Sequence, residues 1–304
     1  FRYTIQAGDN DTNGISIGAN VLALDNGTIS DPAGNNATLT HSAVSDNNSY
    51  MVDTEAPRVD NFTLSDTALK IGDNATVNLG FSEAVIEFIA ADITNPNGLL
   101  PSMTSTDNIT WTGTFTPDNN TEVASNNFSL TANSYTDLAG NDGPAETTAN
   151  YEVETRAPTV SSVAITGAGI QNNFLNAGDN VSVTVTFSEN STVTGTPQLT
   201  LAVGEDNHTA DYTSSGSGAT TKVFKYTIQA GDNDTNGISI RANALALDNG
   251  TIMDLAENNA ILTHSAVSDN NSYMVDTEAP RVDNFTLSDT ALKIGDNATV
   301  TLVF

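Results

Sequence analysis

The sequence has no cysteine, a single tryptophan, and only nine Lys and Arg residues against 37 Asp and Glu. Without cysteine there can be no disulfide, no thiol nucleophile and no Cys-based zinc or iron site. Without clustered bases, partners bound through their phosphates are excluded, namely nucleic acids and anionic membrane surfaces. The formal charge of −28 comes with a charged fraction of only 15%, so missing bases rather than surplus acids produce it. No run approaches the roughly 18 apolar residues that a bilayer span requires. The sequence opens on Phe1-Arg2-Tyr3-Thr4, without an initiator Met or a charged-then-apolar leader. An internal segment of a longer chain, with no membrane insertion, is expected.

What is present is a repeat. Residues 1–81 recur at 224–304, at an offset of 223, with nine differences over the 81 positions. A unit of this length is too long for a solenoid and suits two domains copied together. The seams share the form acid-Thr-X-Ala-Pro-X-Val: Asp53 to Val59, Glu154 to Val160 and Asp276 to Val282. A proline after a short acidic stretch and before fresh apolar alternation reads as a stiff linker. Four pieces follow: the C-terminal part of a long-type domain at 1–54, a complete short-type domain at 55–155, a complete long-type domain at 156–277, and the start of a short-type domain at 278–304. The two end pieces belong to different domain types and are not expected to complete one fold together.

Within a unit, period-two alternation dominates, as in Val181, Val183, Val185 and Phe187 separated by Ser and Thr. Turn clusters such as AGDN and LAGND interrupt the runs, and no long helical stripe occurs. The fold class expected is all-β: tandem immunoglobulin-like antiparallel β-sandwiches in a linear array. In the long-type domain, strands are expected at 159–165, 180–187, 198–203, 209–213, 222–229, 237–247 and from about 260. There is no inter-sheet disulfide, and Trp111 falls on the fifth strand of its domain.

That strand order places the acids. In 156–277 the far pole receives Asp179, Asp232 and Asp234, beside Asp276 and Glu278 of the outgoing linker. The near pole receives Glu189 and Asp254. The short-type domain repeats this with Asp73 and Asp118 at the far pole and Glu83 and Asp137 at the near pole, beside Asp53 and Glu55; Glu154 stands in the second linker. Like charges brought together without bases call for a divalent cation. All-oxygen donors in loops select calcium over zinc or copper. The loop GDNDTNG, at Gly8 to Gly14 and again at Gly231 to Gly237, supplies Asp9, Asp11 and Asn13, and Asp232, Asp234 and Asn236, in a D-x-D-x-N-G pattern like the first half of an EF-hand loop. Its twelfth position is Asn20 or Asn243 rather than Glu, so it is not an EF-hand. The competing reading is an Asx turn in which these side chains cap their own backbone.

Nothing points to catalysis. His41, His208 and His264 have no ligand-spaced partner, no G-x-S-x-G occurs, and the acids follow turns and linkers rather than one cleft. Sequons such as those at Asn26, Asn61, Asn108 and Asn180 carry little weight in a chain so rich in Asn and Thr. An enzyme is not expected.

The acid-T-x-A-P linkers, the V-T-F-S-E strand end at 185–189, the D-x-A-G-N turns at 31–35 and 137–141 and the YTIQAGDNDTNGISI block resemble the bacterial Ig-like, cadherin-like tandem repeats of large calcium-dependent RTX-type surface adhesins. The resemblance covers essentially the whole chain. It implies a secreted, cell-surface spacer that binds structural calcium at its junctions, packs against neighbouring repeats of its own chain, and leaves the adhesive target to other domains. Two positions depart from the pattern: Arg156 replaces a linker Glu, and Glu257 replaces the Gly of D-x-A-G-N. The alternatives are a glycan- or protein-binding Ig-like module, or an acidic halophilic spacer without specific ion sites.

Overall fold

The computed structural model describes the backbone of residues 1–214 and 219–304. The chain divides into two compact units, Phe1–Thr155 and Arg156–Phe304. Among the described residues the only helix is a single 3-10 turn at Ala90–Asp92; everything else regular is β-structure.

In the first unit, strand Ala75–Phe81 lies between Val59–Leu64 and Thr110–Pro117, with Gly98–Leu99 at the edge of the same antiparallel sheet. Alternation dictates the packing: Ala75, Val77, Leu79 and Phe81 point inward and are buried. Across the core, Ala68–Lys70, Tyr151–Glu154 and Glu122–Asn126 form a second layer. Phe115 meets Phe128 edge-on at 4.9 Å and Tyr151 at 5.7 Å between the layers, a geometry favoured by the ring quadrupoles. Trp111 does lie on the strand Thr110–Pro117, packed against Phe88 at 4.9 Å.

The second unit holds a six-stranded sheet in the order Val160–Ala168, Asn180–Phe187, Thr221–Thr227, Asp206–Ser214, Gln198–Val203 and Leu245–Ala246. Strand Asn180–Phe187 alternates throughout, burying Val181, Val183, Val185 and Phe187. Opposite it, Phe174–Leu175, Met274–Asp276 and Asn233–Asp234 form a short sheet.

The sequence expectation differs from the structure in three places, one being the strand expected from about 260, where only isolated bridges occur before the closing strand Met274–Asp276. The sandwich is not wholly antiparallel: Ala68–Lys70 pairs in parallel with Glu152 to Glu154, and Phe174–Leu175 in parallel with Met274 and Val275. In each domain the opening strand first pairs antiparallel with its neighbour, then crosses to the other layer, where the closing strand runs the same way. The expected strand 237–247 breaks into the bridges Ala202↔Ser239 and Ile240↔Val267 and the two residues Leu245–Ala246. Asn243, Asp248 and Asn249 adopt left-handed backbone at φ 58°, 44° and 63°, which ends extension at those points.

The near-identical segments 1–54 and 224–277 fare differently. Ile238 and Ile240 are 0% and 1% exposed, whereas their counterparts Ile15 and Ile17 are 45% and 48% exposed. The later copy packs on the strands of 160–223; the earlier one is held by isolated bridges such as Asp11↔Val52 and Ile17↔Val44. At the other end, Asn284–Leu287 pairs with Val300–Val303 in an exposed hairpin.

Candidate metal centre

Asp53, Glu83 and Asp137 come from three parts of the first unit. Asp53 closes the segment before the linker, Glu83 follows the strand Ala75–Phe81 in the FSEA turn, and Asp137 ends the strand Thr136–Asp137. Each offers a carboxylate oxygen, and these oxygens all lie within 4.8 Å of one another. Calcium–oxygen distances of about 2.3–2.6 Å put oxygens on opposite sides of one ion up to about 5 Å apart, so this group is close enough to share one. The donor set is hard and all-oxygen, which fits calcium and not zinc or copper.

The group is electrostatically unbalanced. Burial pushes the Glu83 carboxyl above the usual range, and the charges of Asp53, Asp137 and Glu55 push it further; only Arg58 opposes. Asp137 is fully buried. Burial alone would raise its pKa, but the Asn141 side-chain amide, at 2.7 Å, and the N–H groups of Asn141 and Ala139 donate to its carboxylate and hold it low. The D-L-A-G-N turn therefore makes a fixed anion, with Gly140 in the left-handed conformation at φ 90°.

Residues 53–153, which contain all three carboxylates, match the family model of the bacterial Ig-like domain. The match covers about a third of the chain, and this segment is similar to a bacterial Ig-like domain. Members of the family are usually extracellular or surface-borne structural modules. No curated protein matches the chain. No helix among the described residues is long and apolar enough to cross a membrane.

In the long-type domain that follows this segment, Glu189 and Asp254 occupy the positions of Glu83 and Asp137, and their carboxylate oxygens also lie within 4.8 Å of each other. Asn258 repeats the part of Asn141, donating from its backbone N–H at 2.8 Å and its side chain at 2.9 Å. The two departures in sequence have structural effects. Arg156 brings its Nε to 3.9 Å from Glu189 and partly neutralises it, as Arg58 partly offsets the charge at Glu83. Glu257 is forced to φ 70°, where Gly140 and Gly34 carry no Cβ.

Most of the remaining candidate acids accept hydrogen bonds from their own turns. Asp9, Asp73, Asp179 and Asp232 each accept a backbone N–H from three residues upstream, at 2.8, 3.1, 2.8 and 2.9 Å. Asp11 and Asp234 accept the N–H groups of Asn13 and Gly14, and of Asn236 and Gly237, closing Asx turns. Asn13 and Asn236 point away, donating to Asp46 and Asp269. Thus the D-x-D-x-N-G loop has the hydrogen bonds of the Asx-turn reading, and none of its carboxylates joins a cluster of three among the described residues. Asp118 is exposed, and Asp276 accepts the N–H of Glu278 within its own linker, as Asp53 accepts that of Glu55. Glu154 ends the strand Tyr151–Glu154.

Four residues that hold the linkers or the buried carboxylate are not singled out by the sequence as candidates. Asn141 was visible only as part of a turn motif, and the linker threonines Thr54, Thr155 and Thr277 only as spacing. Their constant position between an acid and X-Ala-Pro was the available signal.

Proposed function

We propose that the chain is a spacer segment of a secreted bacterial surface adhesin, stiffened by structural calcium bound where each linker enters the next domain. The observation that carries this reading is the Asp53, Glu83 and Asp137 group: three carboxylates from the linker and two turns, one of them fully buried, with a raised pKa at Glu83. Such a group is poorly tolerated without a cation, and calcium would bind Asp53 of the linker to two turns of the domain. Extracellular calcium sites work at about 10⁻⁴ to 10⁻³ M, so they fill outside a cell and stay largely empty inside one. Secretion would then precede stiffening. The adhesive target is assigned to other parts of the parent protein, and the sandwiches serve as separation rather than recognition.

Calorimetric titration of the calcium-free chain, with X-ray scattering before and after EDTA, tests the reading. Discrete millimolar-or-tighter sites and a maximum dimension that shrinks on chelation are expected. Heat of dilution alone, with an unchanged scattering profile, would leave an acidic spacer without ion sites.

A further inference from the structure

The linker threonine does something that no carboxylate does. Thr54 Oγ1 donates to the Asp9 carbonyl at 3.0 Å and accepts the Gly8 N–H at 2.9 Å. Thr277 Oγ1 makes the same pair with the Asp232 carbonyl and the Gly231 N–H, at 3.0 and 2.9 Å. Thr155 Oγ1 does so in a different turn, with the Asp118 carbonyl at 2.6 Å and the Thr121 N–H at 3.0 Å. In all three linkers the hydroxyl is thus both donor and acceptor to the turn that closes the preceding segment. In the first linker the other side is held as well: Asn141 Nδ2 donates to the carbonyls of Asp53 and Glu55 at 3.2 and 3.0 Å.

We infer that the acid-Thr-X-Ala-Pro linker is a two-sided clasp, in which Thr54 ties it to the segment before and Asn141 to the domain after, and that this docking requires no ion. Thr54 and Asn141 are positioning residues. They fix the backbone that carries Asp53, so that any cation meets a preformed group instead of ordering a loose chain. Only a side chain with one hydroxyl hydrogen and lone pairs on the same atom can bridge a carbonyl and an N–H in this way, so Ser can replace Thr and Val cannot. The motif's fixed hydroxyl follows from that chemistry. The inference goes beyond calcium binding and stands without it.

The test is made in EDTA on the full 304-residue chain, by hydrogen exchange of ¹⁵N-glycine amides and by Glu-specific proteolysis after Glu55. In the wild type the Gly8 and Gly231 amides should be protected and the linker cut slowly. Thr54→Val should expose Gly8 alone and speed cleavage after Glu55 about tenfold, the consequence of losing two modest hydrogen bonds. Thr54→Ser should match the wild type. Thr277→Val should expose Gly231 and leave Gly8 unchanged, and Asn141→Ala should speed cleavage without exposing Gly8. The fluorescence of Trp111 reports whether the Thr54 and Asn141 variants remain folded, and circular dichroism does so for Thr277→Val. Unprotected glycines in calcium-free wild type, or a Thr54→Val chain indistinguishable from Thr54→Ser, overturns the inference. Neither result depends on whether calcium binds.

Discussion

Asn141 reaches back 86 residues to donate its side-chain amide to the carbonyl of Glu55 at 3.0 Å, while the same group holds the carboxylate of Asp137 at 2.7 Å. One amide therefore joins the linker backbone to the buried anion of the candidate metal centre. Substituting it therefore disturbs both the docking and the charge.

Glu83 gives a pH dependence of one sign. Its folded-state pKa is raised, by burial first and by Asp53, Asp137 and Glu55 after it. The native state thus binds the proton more tightly than the unfolded chain. In calcium-free protein its contribution destabilises at neutral pH and is relieved as pH falls through the raised value toward the ordinary Glu range. Glu83→Gln should raise the midpoint of thermal unfolding in EDTA at pH 7 and weaken calcium binding by about tenfold or more. A variant that melts lower in EDTA at pH 7 contradicts the electrostatic account.

Asp137 runs the other way. Its folded pKa is lowered, so its stabilisation is present above the ordinary Asp range and lost as pH falls through the folded value. Asp137→Ala leaves the Ala139 and Asn141 N–H groups without their acceptor, which should cost about 2–4 kcal/mol in urea unfolding at pH 7. The deficit should narrow below pH 4, and a deficit independent of pH would mean that packing rather than charge is responsible.

The turn at Gly237 has no room for a side chain. Its φ is 97°, and a Cβ there would lie 1.9 Å from the carbonyl oxygen of Asn270. Gly237→Ala should destabilise the second unit by about 2 kcal/mol or more. Because Trp111 lies in the first unit, circular dichroism should register the loss while tryptophan fluorescence reports an unshifted transition.

Tyr135 and Tyr151 set an alkaline limit. Burial pushes both phenols up to about 12, with Glu146 adding to the effect at Tyr135. A raised phenol pKa keeps its stabilising contribution below the ordinary value near 10 and loses it as pH climbs from there toward about 12, by up to about 1.4 kcal/mol per pH unit for each ring. Tyr151→Phe should cost about 1 kcal/mol at neutral pH, through the hydrogen bond to the Pro96 carbonyl at 2.7 Å. It should also flatten the alkaline loss of stability, seen as later tyrosinate absorbance at 295 nm. Equal alkaline midpoints for variant and wild type would remove Tyr151 from this role.

Much of the sandwich was legible because it rests on local alternation. Val181, Val183, Val185 and Phe187 point inward for the same reason that they alternate with Ser and Thr. The parallel pairing of Phe174 with Met274 was not legible, since residues 100 apart in sequence leave no trace in a window of seven. The stretch 237–247 carries an apolar alternation that Asn243 interrupts, since its side chain tolerates left-handed backbone.

The sequence by itself determined the charge imbalance, the repeat, the linker motif and the β-class, because each depends on residue type and local spacing alone. Only the tertiary structure decided which acids meet. Asp53, Glu83 and Asp137 converge through long-range strand pairing, whereas Asp11 and Asp234, in the loop most like a known calcium motif, turn Oδ1 onto backbone amides two and three residues away, and Asp234 gives Oδ2 to the N–H of Gly204. An Asx turn closes within four residues and needs no distant partner, and Asp137 makes such local bonds too, so what sets it apart is the strand pairing that brings Asp53 and Glu83 beside it. The segments 1–54 and 224–277 make the same point: nearly the same sequence buries Ile240 to 1% and leaves Ile17 at 48%, because burial is set by what packs on the strand.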